Sequence, residues 1–396
     1  MRFITDSLSC CSARLGVLTG IDRLPNVSFE TPMLLLYTRR GSVPHLTKDV
    51  LKKLTAEQQF LLTNLPSTIL MTDCVKQFDS FGEFVGLQEY PFFLGIQDPS
   101  EQVEKAHHRN GSVSVWSRNG RTTVTPDKYM DLVENFKPDV YVTLFDGDTD
   151  KDSSQKRINK SLCTSKNLFS ACYKKHQESD VLRNKGFLGA VVGGYNLQAR
   201  AESIKHMEGK ELLGCVIDAL HRNGIETQGI TIDQVKPVIE HSLNLLPVDK
   251  LRVLNGCWNP STILDLVNLG IDVFDSSYAF LMTEEKKSLT FLCDDCESCM
   301  RVERRFMVDL SEKRYKEDFD PICKSCTCLT CKNHTKAYIH HLIHTKELLS
   351  LVLLMIHNTH LYIEFFKQIR QSIKDGTFDE YRNKIHSRFL QMTENS

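Results

Sequence analysis

The sequence predicts an α/β fold of the (β/α)8 barrel type. Short apolar runs rich in strand-forming residues recur along the chain, and most of the segments between them have the pattern of amphipathic helices. Seven or eight such units in roughly 250 residues suit a barrel of this type. The predicted strands are residues 33–38, 92–96, 140–145, 187–192, 212–217, 251–256 and 271–277. Near-continuous apolar strands that alternate with helices are typical of a parallel sheet covered on both faces, so a doubly wound open sheet is the alternative.

The elements between the strands follow from local patterns. Residues 260–270 predict a helix in which Ser261 is the N-terminal cap, apolar residues repeat at helical spacing and Gly270 ends the helix. The polar segment 147–166 predicts a loop, and the segment from about residue 336 to 374 is helical in pattern. The sequence shows no internal repeat.

Composition predicts a globular chain without bulk charge. Of 396 residues, 41% are hydrophobic and 25% are charged, and 49 Lys and Arg against 50 Asp and Glu give a net charge of −1. This balance argues against a protein that coats nucleic acid by bulk charge, although it leaves room for a local basic face. The longest apolar run, residues 348–356, is far shorter than the ~20 residues of a membrane span.

The 14 cysteines raise the question of disulfides or metal. The N-terminal residues contain no apolar core of the length found in a secretory signal. We therefore expect a cytoplasmic chain with reduced cysteines, in which clustered thiols indicate metal binding.

One cysteine cluster has the spacing of a metal site. Cys326, Cys328 and Cys331 form a C-x-C-x-x-C pattern, and three thiolates this close favour Zn²⁺. A fourth ligand is required, and spacing alone does not select it. The histidine candidates are His334, His340, His341, His344, His357 and His360. Cys323 is a further candidate, a second cluster of Cys293, Cys296 and Cys299 has plausible ligand spacing, and His357 is equally well interpreted as a core or capping histidine.

The block that contains this motif resembles the tRNA-guanine transglycosylase family. Its sequence is CTCLTCKNHTKAYIHHLIHTKELLSLVLLMIHN, and segments 31–51 and 245–277 resemble other parts of the family. The resemblance implies a single barrel over residues 1–396 with a zinc-binding subdomain at 284–360. It also implies one structural Zn²⁺ per chain, held by four ligands: Cys326, Cys328, Cys331 and His357.

The residues that carry catalysis in this family are only partly present. The resemblance places Asp275 at the nucleophile position, where a carboxylate attacks C1′ of a tRNA guanosine, and Asp146 at a second active-site position. The family's Asp-Ser-Gly-Gly turn carries the acid/base, but here the segment reads FFLGIQDPSE, with Pro99 after Asp98. Val192 replaces a purine-binding glutamine, the purine-binding strand end reads GCVIDA, and no Pro-Thr-Arg follows the nucleophile position. A nucleophile without acid/base or purine pocket is a poor catalyst, so we predict no catalytic residues in this chain.

These losses, together with segments 112–121 and 284–325, resemble the non-catalytic subunits of the family. The resemblance implies a heterodimer with a catalytic queuine tRNA-ribosyltransferase subunit, which exchanges guanine for queuine at the wobble position of tRNAs with a GUN anticodon. It leaves a homodimer open and implies a peripheral position on the mitochondrial outer membrane.

Two alternatives differ in kind from an accessory subunit. One is an active transglycosylase that uses Asp275 as its nucleophile. The other is a zinc-dependent nucleic-acid-binding protein without an enzymatic partner. Its basic candidates are Arg301, Arg304, Arg305, Lys332 and Lys336.

Overall fold

A computed structural model describes residues 1–6, 13–102, 111–293 and 306–394. Eight parallel strands close into a barrel, in the order β10-β11-β12-β13-β4-β5-β6-β9. The barrel strands are β4 Met33–Tyr37, β5 Phe60–Asn64, β6 Phe92–Gly95, β9 Val140–Val142, β10 Gly186–Val191, β11 Gly214–Ile217, β12 Leu251–Val253 and β13 Val273–Asp275. The predicted (β/α)8 barrel is confirmed, and the open sheet is excluded because β13 pairs with β4.

The helices and the remaining strands surround this barrel. The helices are α1 Lys48–Leu54, α2 Leu65–Thr68, α3 Thr72–Val75, α4 Phe81–Phe84, α5 Pro126–Phe136, α6 Gln155–Glu178, α7 Leu197–Met207, α8 Ile232–Leu245, α9 Pro260–Leu269, α10 Ser277–Glu284, α11 Leu329–Asn333, α12 Lys336–His344, α13 Leu349–Lys374 and α14 Phe378–Glu394. Outside the barrel lie β1 Arg2–Thr5, β2 Gly16–Thr19 and β3 Phe29–Thr31 in one sheet, the hairpin β7 Val113–Ser117 and β8 Gly120–Val124, and the pair β14 Lys287–Leu289 and β15 Met307–Asp309.

The N-terminal sheet is fastened to the N-terminal end of the barrel by two ion pairs. Arg14 donates to the carboxylate of Asp272, directly before β13, at 2.8 Å. Arg23 donates to Asp139, directly before β9, at 2.9 Å. Both carboxylates are buried, so each needs the partner that it has.

The start and end of α9 differ in how well the sequence predicted them. The N-terminal cap is Asn259, whose side-chain oxygen accepts from the amide of Thr262, so the prediction that Ser261 caps the helix is wrong. The predicted end is confirmed, because Gly270 adopts a left-handed conformation with φ +97° and its amide donates to the last turn.

Two further predictions are corrected by the structure. The strand β5 was not predicted, although its five residues are all buried. The segment predicted as a loop from 147 to 166 contains the first half of α6, which begins at Gln155 with Ser154 as its cap. The helical pattern predicted for residues 336–374 is confirmed, and it is divided into two helices, α12 and α13.

The helix α13 is the main link between the barrel and the C-terminal region. It packs against α10, α11, α12, β4 and β14. By length and composition it also qualifies as a candidate membrane span, but 78% of its apolar window is buried inside the fold. This burial is the pattern of a core helix.

Candidate metal centre and barrel mouth

The three cysteines of the C-x-C-x-x-C motif and His357 lie together. Their ligand atoms all lie within 4.8 Å of one another, and this is the one such group of metal-binding side chains among the described residues. The distances from Nδ1 of His357 to the sulfurs of Cys326, Cys328 and Cys331 are 3.7, 3.6 and 3.2 Å. An S···N edge of about 3.6 Å follows from tetrahedral angles and the usual Zn–S and Zn–N bond lengths. The group therefore has the chemistry and dimensions of a metal site.

The orientation of the His357 ring is fixed from its other side. Its Nε2 lies 2.8 Å from the carbonyl oxygen of Leu289 and donates to it. A proton on Nε2 leaves the lone pair on Nδ1, which faces the three sulfurs. The imidazole is fully buried, so this tautomer is held by the fold and not by solvent.

The cysteine loop is positioned by α11 and α13. Cys328 is the N-terminal cap of α11, and its sulfur accepts from the amide of Cys331 at 3.3 Å. The hydroxyl of Thr330 donates to the carbonyl of Leu353 in α13 at 2.7 Å. The loop is thus attached to the helix that supplies His357.

The residue after His357 holds the strand that orients the imidazole. Asn358 accepts from the amide of Leu289 at 2.9 Å and donates to the carbonyl of Lys287 and the hydroxyl of Thr283, both at 3.0 Å. Two consecutive residues of α13, His357 and Asn358, therefore form hydrogen bonds to the same strand, β14.

The other candidate ligands lie elsewhere. His340 contacts the carbonyl of Leu310 and His360 that of Leu54. Cys323 forms a disulfide with Cys293, with Cα atoms 5.9 Å apart, so the expectation of reduced cysteines is wrong for this pair. The reason is geometric, since the end of the β14 region and the segment before α11 come within disulfide range. Cys296, Cys299, Arg301, Arg304 and Arg305 lie outside the described residues.

The barrel mouth, which we define as the C-terminal strand ends and the loops that follow them, contains the predicted active-site positions. Asp275 ends β13 and is 2% exposed. Its carboxylate accepts from the amides of Gly256 and Ser277, both at 2.8 Å. Burial raises the pKa of Asp275 to about 6. By accepting from these two backbone amides, the carboxylate caps the turn in the way that a structural aspartate does.

Asp98 is held in a separate network. Both of its oxygens lie 3.0 Å from the hydroxyl of Tyr37, and Ser100 donates to it from both its amide and its hydroxyl. Burial raises the pKa of Asp98. Tyr37 and Asp98 are both buried, so their contact lies inside the fold.

Asp146 is paired with an arginine. Arg157 from α6 bonds both of its oxygens, one at 3.0 Å, and Asp146 is fully buried. Val192 is also buried, and its amide bonds to the hydroxyl of Ser203. These side chains stabilise the strand ends and do not surround an open pocket.

The centre of the barrel mouth is filled. Gln97 accepts from the side chain of Asn223 at 2.8 Å and lies over Gly147, where an added Cβ would be 2.4 Å from its side-chain nitrogen. The cavity lined by Gln97, Asn223, Asp218 and Asn255 measures about 10 Å³. That is the space of about one water molecule. Burial raises the pKa of Asp218 to about 6.

Sequence reasoning missed Gln97, Tyr37 and Arg157. Gln97 stands directly before Asp98 in the segment that departs from the family pattern, and no local pattern marked it. Arg157 and Asp146 are only eleven residues apart in sequence. Their pairing was missed because the segment that contains Arg157 was predicted to be a loop.

Comparison with known proteins agrees with this combination of an intact cysteine-histidine group and a filled barrel mouth. A family profile described as Queuine tRNA-ribosyltransferase matches residues 9–391. The chain is 41% identical to the "Queuine tRNA-ribosyltransferase accessory subunit 2" of Aedes aegypti over 96% of this chain and 91% of that protein. The proteins of the same name from Culex quinquefasciatus and Ixodes scapularis are 40% and 38% identical, covering 96% and 91% of this chain and 90% and 92% of theirs. With a closed parallel barrel, a Cys3His group beside it and a profile match over nearly its whole length, the chain belongs to the queuine tRNA-ribosyltransferase family.

Proposed function

We propose that this chain is the non-catalytic, zinc-binding subunit of a heterodimeric queuine tRNA-ribosyltransferase. It supports the exchange of guanine for queuine at the wobble position of tRNAs with a GUN anticodon. The bond-breaking chemistry takes place in the catalytic partner.

The observation that carries this proposal is the state of the barrel mouth. Asp275, Asp98 and Asp146 each have partners from this chain, namely backbone amides, Tyr37 with Ser100, and Arg157. The two cavities beside Gln97 measure about 10 Å³ and about 60 Å³, the second of them lined by Asp98, and they have room for about one and a few water molecules. A nucleophile must approach its substrate within about 3–3.5 Å, and no purine nucleoside fits here without displacing these partners.

The zinc in this proposal is structural. Three thiolates and one imidazole complete a tetrahedral coordination sphere and leave no position for a water nucleophile. The group lies beside β14 and α13, on the outside of the barrel. Its role is to hold the C-terminal helices in place.

We assign the partner contact to the exposed face of this zinc region. Phe319 is 75% exposed and Leu348 is 76% exposed, and Tyr338 is also exposed. Large apolar side chains at this exposure mark interaction surfaces when they lie close together in one region. They lie before α11, on α12 and directly before α13, and α11 and α13 carry ligands of the metal group.

The test is base exchange into a tRNA with a GUN anticodon, measured for this chain alone, for the catalytic subunit alone and for the mixture. We expect activity in the mixture only. The matched variant is Asp275→Asn in this chain, which keeps the size of the side chain and should leave the activity of the mixture unchanged. Melting of the variant is measured in parallel to verify that it is folded.

The alternatives give different results in the same assay. Exchange by this chain alone, abolished by Asp275→Asn, would establish an active transglycosylase. Absence of any complex with the catalytic subunit, together with RNA binding, would favour the zinc-dependent RNA-binding protein.

A further inference from the structure

The hairpin of β7 and β8 presents one of the chain's two tryptophans at the surface. Trp116 is 37% exposed, whereas Trp258 is 2% exposed and belongs to the core. A large indole that is exposed on a regular hairpin contributes little to the stability of the fold. A surface position of this kind is typical of a residue that binds something else.

The hairpin has two different faces. Val113, Val115 and Val124 are buried against the body of the protein. On the opposite face, Trp116 stands directly across from Arg121 in the strand register. The hairpin is therefore anchored by its valines and displays an indole beside a guanidinium.

Its position is at the barrel mouth. Trp116 lines a cavity of about 60 Å³ together with Gln97, Asp98, Phe145 and Asp148, which follow β6 and β9. The strand β7 also packs against α2. Since chemistry in barrels of this type takes place at the C-terminal end, the hairpin stands on the face that a substrate meets.

The charge of the hairpin is positive. Residues 111–126 contain Arg118 and Arg121 and no acidic residue. Both arginines are exposed, and neither forms an ion pair with any residue in the described ranges. Two guanidinium groups that lack an ion-pair partner within the described ranges make a local basic site in a chain of net charge −1.

We infer that this hairpin is an RNA-contacting element, in which Trp116 stacks on an unpaired base while Arg118 and Arg121 bind neighbouring phosphates. This inference rests on the proposed function, which supplies the tRNA. A basic groove combined with an aromatic platform is the general means of binding single-stranded RNA, because every base has a face on which an indole stacks. The exposed side chains of Asn119 and Thr123 add donors for the RNA backbone.

The first experiment uses the fluorescence of Trp116 in the complex with the catalytic subunit. The Trp116→Phe complex supplies the background, so the difference spectrum reports this indole alone. We expect tRNA to quench the difference signal and to protect it from iodide, and raised salt to reverse both effects. An unchanged difference spectrum while tRNA binds would overturn the inference.

The second experiment measures tRNA affinity of the complex. Trp116→Ala should weaken binding by roughly five- to a hundredfold, and Trp116→Phe by less, because phenylalanine still stacks. Arg118→Ala with Arg121→Ala should weaken binding and lower the slope against log salt by about one for each phosphate contact. The control is Lys174→Ala with Arg183→Ala, which removes two exposed cations, one near the C-terminal end of α6 and one before β10. This double variant should change neither the tRNA affinity nor the slope against log salt.

Two results separate this inference from the proposed function. If Trp116→Ala prevents complex formation in size-exclusion chromatography while each complex that does form binds tRNA normally, the hairpin contacts protein and the inference is wrong. If the parent chain forms no complex and supports no exchange, the proposed function fails, whatever the hairpin does.

Discussion

At the scale of single residues, the barrel mouth shows how neighbours decide what a carboxyl group does. Asp275 stands at the end of a barrel strand, a position that suits a nucleophile. Two backbone amides bind its oxygens, and burial raises its pKa to about 6. The side chain thereby joins the loop after β12 to the turn after β13.

The raised pKa of Asp275 predicts a pH dependence of stability. In the unfolded chain the group titrates near 3.8 and in the folded chain near 6, so the folded chain holds the proton more tightly. The stabilisation that this proton gives is complete below about pH 4 and is lost as the pH rises to about 6. The unfolding free energy of the parent relative to Asp275→Asn should therefore fall by about 2 kcal/mol between pH 4 and pH 7.

Urea unfolding of both proteins across this pH range measures the difference. The exposed Asp180→Asn exchange is the control for the substitution itself. A difference between parent and Asp275→Asn that does not vary with pH would contradict the prediction.

The cysteines of the metal group give a second prediction at this scale. Cys328→Ser removes one of three thiolates and should release the metal, lowering the stability of the C-terminal region by several kcal/mol, about what loss of a structural zinc ligand costs. Metal content by plasma emission and melting temperature measure the two effects. Cys74→Ser, at an exposed free cysteine, is the control and should change neither. Full metal content in Cys328→Ser would show that this residue is not a ligand.

At the scale of elements, α13 joins the metal group to the barrel. His357 and Asn358 bind the carbonyl and the amide of Leu289, and Leu353 accepts from Thr330 of the cysteine loop. The cysteines and β14 are therefore held by one helix, which is itself packed on β4 and α10. Loss of a contact on this helix should be felt at the metal.

Asn358→Ala tests this link. The substitution leaves the amide of Leu289 and the carbonyl of Lys287 without a partner inside the protein, and each such group costs about 1–3 kcal/mol. Because Leu289 also orients His357, we expect zinc affinity to fall by about tenfold or more. Competition with a chromogenic chelator measures the affinity. The exposed Asn383→Ala in α14 is the control, and equal affinities for the two variants would refute the link.

The elements also show where sequence reasoning works. Seven of the eight barrel strands were predicted because each is a buried apolar run bounded by polar turns. The strand β5 was not predicted because its apolar run continues directly into α2 at Leu65. No polar turn separates the two, since Asn64 is both the last residue of the strand and the cap of the helix. The start of α6 escaped because its first turns are polar and only its contacts with the barrel make it a helix.

At the scale of the whole molecule, contacts between residues far apart in the chain could not be predicted from local sequence patterns. Spacing identified three cysteines within six residues, but the fourth member of the group lies 26 residues beyond the last of them, and the resemblance to a family was needed to select it. The bond between Gln97 and Asn223 spans 126 residues. No local pattern encodes such a contact, and yet it is this contact that fills the barrel mouth.

The molecule as a whole combines a barrel end whose carboxylates are paired with exposed apolar side chains in the region of the metal group, and these side chains predict the final result. Leu348→Asp places a charge on the side chain that is 76% exposed, so the fold of the isolated chain should be preserved. Buried in an interface, an unpaired carboxylate is costly, and we expect the affinity for the catalytic subunit to fall by at least tenfold. Analytical ultracentrifugation of the mixture measures this change.

The matched control is Val248→Asp. Val248 is 72% exposed and lies before β12, at the N-terminal end of the barrel, so the same change of chemistry is made on elements that carry no metal ligand. A heterodimer weakened equally by both variants would point to a general effect of charge. If only Val248→Asp weakens the heterodimer, the interface lies at the N-terminal end of the barrel. The metal group then has no part in holding it.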